Sequence, residues 1–473
     1  MILKRFYDEK LAQASYLVGC GATGEALVID PNRDADAYLD EAARAGLRVT
    51  HITETHIHAD FVSGARELAA RSGGRLHLSD EGDASWKYAY AADDGAVLLH
   101  DGDTFRVGEL RVEVMHTPGH TPEHLSFVVT DTPAATQPVG VFTGDFVFVG
   151  DVGRPDLLER AASMAGTMEA GARTLFHSLG RFRGALPDFV QLWPGHGAGS
   201  ACGKALGAMP QSTVGYEKLF NAGLAETDEA RFVETVLAGQ PEPPTYFARM
   251  KRINRDGPPV LGGFAPVPRL PGERLVEVMD SGATVVDTRP AAEYAAEHVP
   301  GTLNIPLNRA FSGWAGWLLP ADRDIHLIAA TEAAAAEAAR DLAMIGFDRV
   351  AGYFTDAAEA WKAAGRAPGT TEQVTLDDLE SRLASGAVRV LDVRGAAEWE
   401  AGHIPGALHI PVGYLPGRIA EIPRDLPLVV QCQGGARSAI AASVLQARGV
   451  GGVLNYGGGF AEWAGAGKPV ARE

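Results

Sequence analysis

The sequence predicts an α/β protein of three modules: a first half in which short strands form two sheets with helices outside, then two copies of a smaller parallel α/β unit. Three observations lead there. At roughly 150 residues per domain, 473 residues make about three domains, and 46% hydrophobic with 22% charged residues is an ordinary globular composition. The second half repeats itself. Short apolar runs alternate with turn-bounded helical stretches throughout.

The first module, residues 1–240, contains strand-like runs at 26–29, 49–53, 110–115 and 125–129 and helical patterns at 36–45 and 62–72. Residues 241–271 hold eight of the 28 prolines, among them Pro243-Pro244 and Pro258-Pro259, and predict a semi-rigid linker. Val285-Val286-Asp287-Thr288-Arg289 with His298-Val299-Pro300-Gly301 then recurs, 105 residues on, as Val390-Leu391-Asp392-Val393-Arg394 with His403-Ile404-Pro405-Gly406. Each copy opens with a strand ending in Asp-x-Arg. A second strand later leads into an Ala-rich helix, at 333–345 and 436–449. The copies are placed at 272–366 and 374–473, with a short break through 365–371.

Charge and cysteine content narrow the function classes. A net charge of −18 opposes a phosphate backbone, so nucleic acid is not an expected partner. The first nine residues already carry charges and nowhere do 18 apolar residues run together, which predicts a soluble cytoplasmic chain with no membrane partner. Three widely spaced cysteines, Cys20, Cys202 and Cys432, make no disulfide framework and suit a reducing compartment.

Ten of the fourteen histidines precede residue 200, so a histidine-rich metal site belongs in the first module. Thr55-His56-Ile57-His58-Ala59-Asp60-Phe61 follows an apolar strand, as do Pro118-Gly119-His120-Thr121-Pro122, Thr143-Gly144-Asp145 and Pro194-Gly195-His196-Gly197. Loops of this kind, converging on one sheet edge, supply imidazole and carboxylate ligands suited to zinc, iron or manganese.

These residues resemble the metallo-β-lactamase superfamily over about residues 1–240, which implies an αββα sandwich. The superfamily pattern runs His-x-His-x-Asp-His, then His, Asp and His. Here Phe61 takes the place of the last His of the first motif, and since phenylalanine ligates nothing, a single metal is expected. The THxHAD, PGHTP and TGD segments are similar to those of the persulfide dioxygenases. That resemblance implies one Fe(II) per chain on His56, His120 and Asp145, with His58, Asp60 and His196 around them. Two histidines and a carboxylate leave positions open on ferrous iron for sulfur and dioxygen. Gly150-Asp151-Val152-Gly153-Arg154-Pro155-Asp156 is similar to the same subgroup, with Arg154 either structural or at the pocket rim.

In the last module, Gln431-Cys432-Gln433-Gly434-Gly435-Ala436-Arg437 puts a thiol between a strand and a helix. Backbone N–H groups of Gln433, Gly434, Gly435 and Ala436, with Arg437, would favour an anion there and stabilise an attacking or persulfide-carrying thiolate. With Asp392, Arg394, Glu398-Trp399 and His403, this loop resembles the rhodaneses. Four residues separate Cys432 from Arg437, where the related phosphatases have five. The first copy keeps Asp287, Arg289 and His298 but reads Ile328-Ala329-Ala330-Thr331-Glu332 at its loop, which implies a pseudo-rhodanese acting as spacer or docking module. Cys202, six residues after His196, is either a second sulfur-handling thiol at the pocket mouth or structural, and Cys20 is expected in a core turn.

Together the resemblances imply Fe(II)-dependent oxidation of a low-molecular-weight thiol persulfide to sulfite and thiol. Coupled rhodanese transfer would make or consume thiosulfate, in clearing sulfide and reactive sulfur. Expected partners are the thiol persulfide, dioxygen, sulfite and thiosulfate, with a homo-oligomer left open. The alternative is a glyoxalase II-like zinc thioester hydrolase with a sulfur-carrier or docking tail.

Overall fold

The computed structural model describes residues 1–157 and 166–472. Two compact units emerge, Met1–Phe264 with Ala343–Gly346, and Ala265–Leu342 with Phe347–Glu473. Among the described residues no helix is long and apolar enough to cross a membrane.

In the first unit, strands β1 (Ile2–Asp8), β2 (Gln13–Cys20), β3 (Glu25–Ile29), β4 (Arg48–Thr53), β5 (Arg75–Ser79) and β6 (Val97–Leu99) form one sheet in chain order. A second sheet orders β12 (Ser212–Thr213), β11 (Gln191–Pro194), β10 (Gly140–Gly144), β9 (Leu125–Asp131), β8 (Leu110–His116) and β7 (Thr104–Val107). The period of two along a strand explains the layering. Tyr16 and Val18 of β2 face Val112, Phe127, Phe142 and Trp193 of the other sheet, while Leu17 between them packs outward with Tyr38, Ile52 and Leu68. Tyr38 lies on helix α1 (Ala35–Arg44) and Leu68 on α2 (Ala65–Ser72). On the far side, Val128 and Val141 turn toward Leu175, Leu179 and Phe182 of α3 (Thr167–Ala185). Both sheets are therefore covered on both faces, a helix–sheet–sheet–helix sandwich, and their strands read as nearly continuous apolar runs.

The proline-rich stretch 241–271 is more than a tether. Past Pro243-Pro244 it forms helix α4 (Phe247–Asp256), which buries Phe247, Met250 and Asn254 at helical spacing, and residues through 264 count with the first unit.

In the second unit, β13 (Thr284–Asp287), β14 (Leu303–Asn304), β15 (Ile325–Ile328) and β16 (Val350–Phe354) make a parallel sheet in the order β14-β13-β15-β16. A second parallel sheet orders β17 (Glu372–Val374), β21 (Val453–Tyr456), β20 (Leu428–Gln431), β18 (Arg389–Asp392) and β19 (Leu408–His409). The register equates the copies: Asp287 pairs with Ile328 as Asp392 pairs with Gln431, so Ala329 stands where Cys432 does. Three residues separate β15 from helix α5 (Glu332–Met344), and four separate β20 from α6 (Ala436–Ala447). The loop of the first copy is one residue shorter.

Candidate functional site

Strand ends bring the metal-binding candidates together. His56 lies just past β4, His120 between β8 and β9, Asp145 past β10 and His196 past β11. One donor atom from each of His56, His120 and Asp145 lies within 4.8 Å of the other two, and all three residues are buried. Nε2 of His56 and of His120 stand 3.9 and 3.7 Å from Oδ2 of Asp145. Close packing holds the carboxylate there: a Cβ on Gly153 would lie 1.8 Å from the Asp145 carbonyl oxygen, so only glycine fits.

Hydrogen bonds decide which ring nitrogen each histidine offers. His120 Nδ1 donates to the carbonyl of Arg154 at 3.0 Å, which leaves Nε2 as a lone pair. His56 Nδ1 donates to Thr55 Oγ1 at 3.0 Å, and that hydroxyl donates onward to Asp30 Oδ2 at 2.9 Å. Burial pushes both rings' pKa down, so they are neutral, as a ligand must be. Asp145 Oδ1 accepts from His196 at 2.7 Å, while Oδ2 is buried without a hydrogen-bond partner. An orphaned carboxylate oxygen costs roughly 1–3 kcal/mol or more unless something completes it. Two imidazole lone pairs facing that oxygen fit a metal cation.

The surrounding residues divide in two. His196 bridges Asp145 and Asp60, with Nε2 2.8 Å from Asp60 Oδ2. Burial alone would lower its pKa, but the two carboxylates outweigh it and hold the ring protonated. His58 instead turns to Asp30 at 3.1 Å. Burial opposes its protonation, yet Asp30 raises it to about 9. Phe61 is fully buried with its ring 4.4 Å from that of His58, an apolar wall where a donor would add a second metal position.

Cys202 lies with Asp60 and His196, one donor atom of each within 4.8 Å of the others. Of the two readings of Cys202, a sulfur-handling thiol or a structural one, its surroundings oppose a reactive thiolate. Burial, then the charges of Asp145 and Asp60, push its pKa well up and keep it a thiol. Cys20 is buried among Tyr16, Val18 and Val107, but as the last residue of β2, not in a turn. Arg154, also fully buried, is structural: it pairs with Asp156 through two bonds of 2.8 and 2.7 Å and donates to the carbonyls of Ala201 and Pro241.

Several residues escaped the sequence reading. His124 accepts the Asp145 N–H at 3.2 Å and donates to Thr117 Oγ1 at 2.9 Å, fixing the carboxylate's backbone. Asp30, beyond β3, anchors both Thr55 and His58. Glu123 accepts the Ile57 N–H at 2.7 Å, and burial raises its carboxyl to about 7. The signal for Asp30 and His124 was present, since each is a polar residue at a strand terminus.

In the last module Cys432 is buried, and its Sγ accepts the Gly435 N–H at 3.1 Å. The loop rests on residues 457–461: Phe460 N–H donates to the Cys432 carbonyl at 2.7 Å and Ala461 N–H to that of Gln433 at 3.1 Å. Gly459, at φ +62°, leaves no room for a side chain, since a Cβ would meet the Cys432 carbonyl at 2.4 Å. Arg437, expected to help favour an anion at this loop, has a carboxylate partner of its own. Arg437 makes two bonds of 2.6 and 2.7 Å to Glu398, so part of its charge is already neutralised. Gln433 Oε1 accepts from Arg394 at 3.3 Å, Gly434 has open space around it, and Ala436 begins α6.

The metallo-β-lactamase superfamily model matches residues 9–196, and the rhodanese-like domain model matches 273–364 and 375–466. A crystal structure of a metallo-β-lactamase from Staphylococcus aureus superposes with a TM-score of 0.67 at 42% identity, covering 75% of this chain and 98% of that one. A hydroxyacylglutathione hydrolase of Rhodopseudomonas palustris is 34% identical over 50% of this chain and 80% of its own length. The human mitochondrial persulfide dioxygenase ETHE1 is 28% identical over 41% of this chain and 68% of its own. Of the curated relatives named metallo-hydrolase or β-lactamase hydrolase-like protein, the chain spans 60–64% of their length. The chain thus belongs to the metallo-β-lactamase superfamily, its first domain homologous to ETHE1 persulfide dioxygenase and followed by two rhodanese-like domains.

Proposed function

We propose that this protein is a persulfide dioxygenase joined to a sulfurtransferase. The first domain converts a low-molecular-weight thiol persulfide, dioxygen and water into the free thiol, sulfite and two protons. The last domain moves sulfane sulfur between Cys432 and sulfite: Cys432 thiolate attacks the outer sulfur of thiosulfate, sulfite leaves, and the reverse reaction makes thiosulfate. Fusion raises the local concentration of the shared sulfite. The setting proposed is a reducing cytoplasm, in the clearance of sulfide and reactive sulfur.

The observation that carries this reading is the donor set: two neutral imidazoles and one carboxylate, with Phe61 where a further histidine would serve a second metal. His56, His120 and Asp145 would hold one Fe(II), which would supply electrons toward dioxygen and leave coordination positions open. The chain's own groups do the rest. Arg154 and Thr55 hold the two rings by Nδ1, and His196 orients Asp145 while keeping a proton between two carboxylates. Cys202, a buried neutral thiol beside Asp60 and His196, suits contact with a sulfur substrate better than attack on it.

The test is oxygen uptake and sulfite release by anaerobically purified full-length protein given glutathione persulfide, with metal content measured alongside. One iron per chain with sulfite formation is expected, and Asp145→Ala should lose both the metal and oxygen uptake. The likeness to hydroxyacylglutathione hydrolase favours a second reading, a zinc thioester hydrolase. Bound zinc, thioester cleavage and no oxygen uptake would establish that one instead.

A further inference from the structure

Helix α4 lies outside the stretch matched by the superfamily model, yet it reaches the metal loop. Asn254, fully buried, donates through Nδ2 to the carbonyls of His58 and Phe61, each at 2.7 Å. Its Oδ1 accepts the Ser63 N–H at 2.9 Å. One carboxamide thus ties three backbone points of the loop that begins at His56 and runs past Asp60. Glu123 at Ile57 N–H and Pro31 at Gly64 N–H fix that loop's two ends, and Asn254 fixes its middle.

The helix is itself held firmly. Ala89 N–H donates to the Arg255 carbonyl at 2.8 Å, and the Lys251 ammonium sits 3.3 Å above the centre of the Trp86 ring. Beyond the helix, Arg66 donates to the Pro258 carbonyl, and the Glu67 carboxylate accepts the N–H groups of Leu261, Gly262 and Gly263. The chain past Pro241 is therefore a strap across the metal loop.

Chemistry narrows what can stand at 254. Two donors and one acceptor are in use at once, aspartate offers no donor, and leucine of similar size offers neither. We propose that Asn254 is a positioning residue for the metal centre: by setting the course of residues 58–63 it places His56 and Asp60, and the 241–264 segment belongs functionally to the metal-binding domain. This rests on the reading that His56, His120 and Asp145 hold the metal.

The experiment uses full-length protein, stripped of metal and titrated with Co(II) against a chelator, with the visible ligand-field spectrum recorded. Asn254→Ala should weaken Co(II) affinity about 10- to 100-fold and shift the ligand-field bands. Asn254→Asp, which keeps the Ser63 contact but loses both donors, should do the same. Arg252→Ala, an exposed position on the same helix, should match wild type in both readouts. Thiosulfate turnover at Cys432 and a cooperative melt identify folded samples, and either Asn254 variant suffices to decide. Wild-type affinity and spectrum in a folded Asn254 variant would overturn the inference. Failure of the underlying reading looks different, because Asp145→Ala would then bind Co(II) as wild type does.

Discussion

The two rhodanese-like copies share a frame and differ in one loop. In the first, Arg289 grips Asp287 and the His298 ring stacks on Tyr294 at 4.0 Å, its Nδ1 donating to the Tyr294 carbonyl. In the second, Arg394 grips Asp392 and His403 stacks on Trp399 at 3.5 Å with the same backbone bond. At the strand end one copy places Ala329, a shortened loop and the acidic Glu332, and the other places Cys432, Gln433-Gly434-Gly435 and a helix that opens with Ala436-Arg437. Ion pairs and stacked rings of the same kind hold the frame in both copies, so a copy without the thiol keeps the same shape.

Breaking the difference at its strongest point means removing the thiol. Cys432→Ser should cut thiosulfate:cyanide sulfur transfer by at least about a thousandfold, while oxygen uptake with a persulfide continues, and a shared loss would show that the two sites depend on each other. The ion pair beside the loop comes next. Arg437→Ala should raise KM for thiosulfate roughly tenfold, about 1.4 kcal/mol, whereas Glu398→Gln, which frees the guanidinium, should lower it several-fold, both read from initial rates.

The frame should give equal effects on stability in the two copies, with smaller effects on turnover. His298→Ala and His403→Ala should each cost about 2 kcal/mol through the lost stack and backbone bond, measured by urea melts, with little effect on turnover. Burial holds His298 below the ordinary histidine pKa. Its neutral-ring contribution is therefore complete above the unfolded value of about 6.5 and falls away as pH drops through it, so the difference between wild type and His298→Ala should shrink by pH 5. The smallest effect expected is none. Ala329→Cys, placed in the Cys432→Ser background, should transfer no sulfur, because its loop is one residue short and begins its helix on a carboxylate.

Much of this was legible because the relevant signals are local. Runs expected at 26–29, 49–53, 110–115 and 125–129 lie within β3, β4, β8 and β9, since alternating apolar residues between turn residues specify a strand from its own neighbourhood. His56, His120 and Asp145 were visible because each ends an apolar run beside a polar or glycine-bearing turn. Pairing order was not legible: β10 runs parallel to β11 across an intervening helix, a choice made by long-range packing. The contacts missed act at a distance. Asn254 reaches His58 over 196 positions, inside a stretch whose prolines signalled a linker, and Glu398 meets Arg437 over 39. No local pattern marks such partners, so the Glu398 pairing of Arg437 was not visible in the sequence.

The missing side chain at Gly459 has a consequence for how this protein can change. Because that glycine lets residues 459–461 lie flush against the peptide groups of Cys432 and Gln433, the two segments cannot drift apart in sequence independently. Even a single methyl group added at 459 would push on the backbone of Cys432 and Gln433, so the Cys432 loop could be recoded only with a matching change in the other segment.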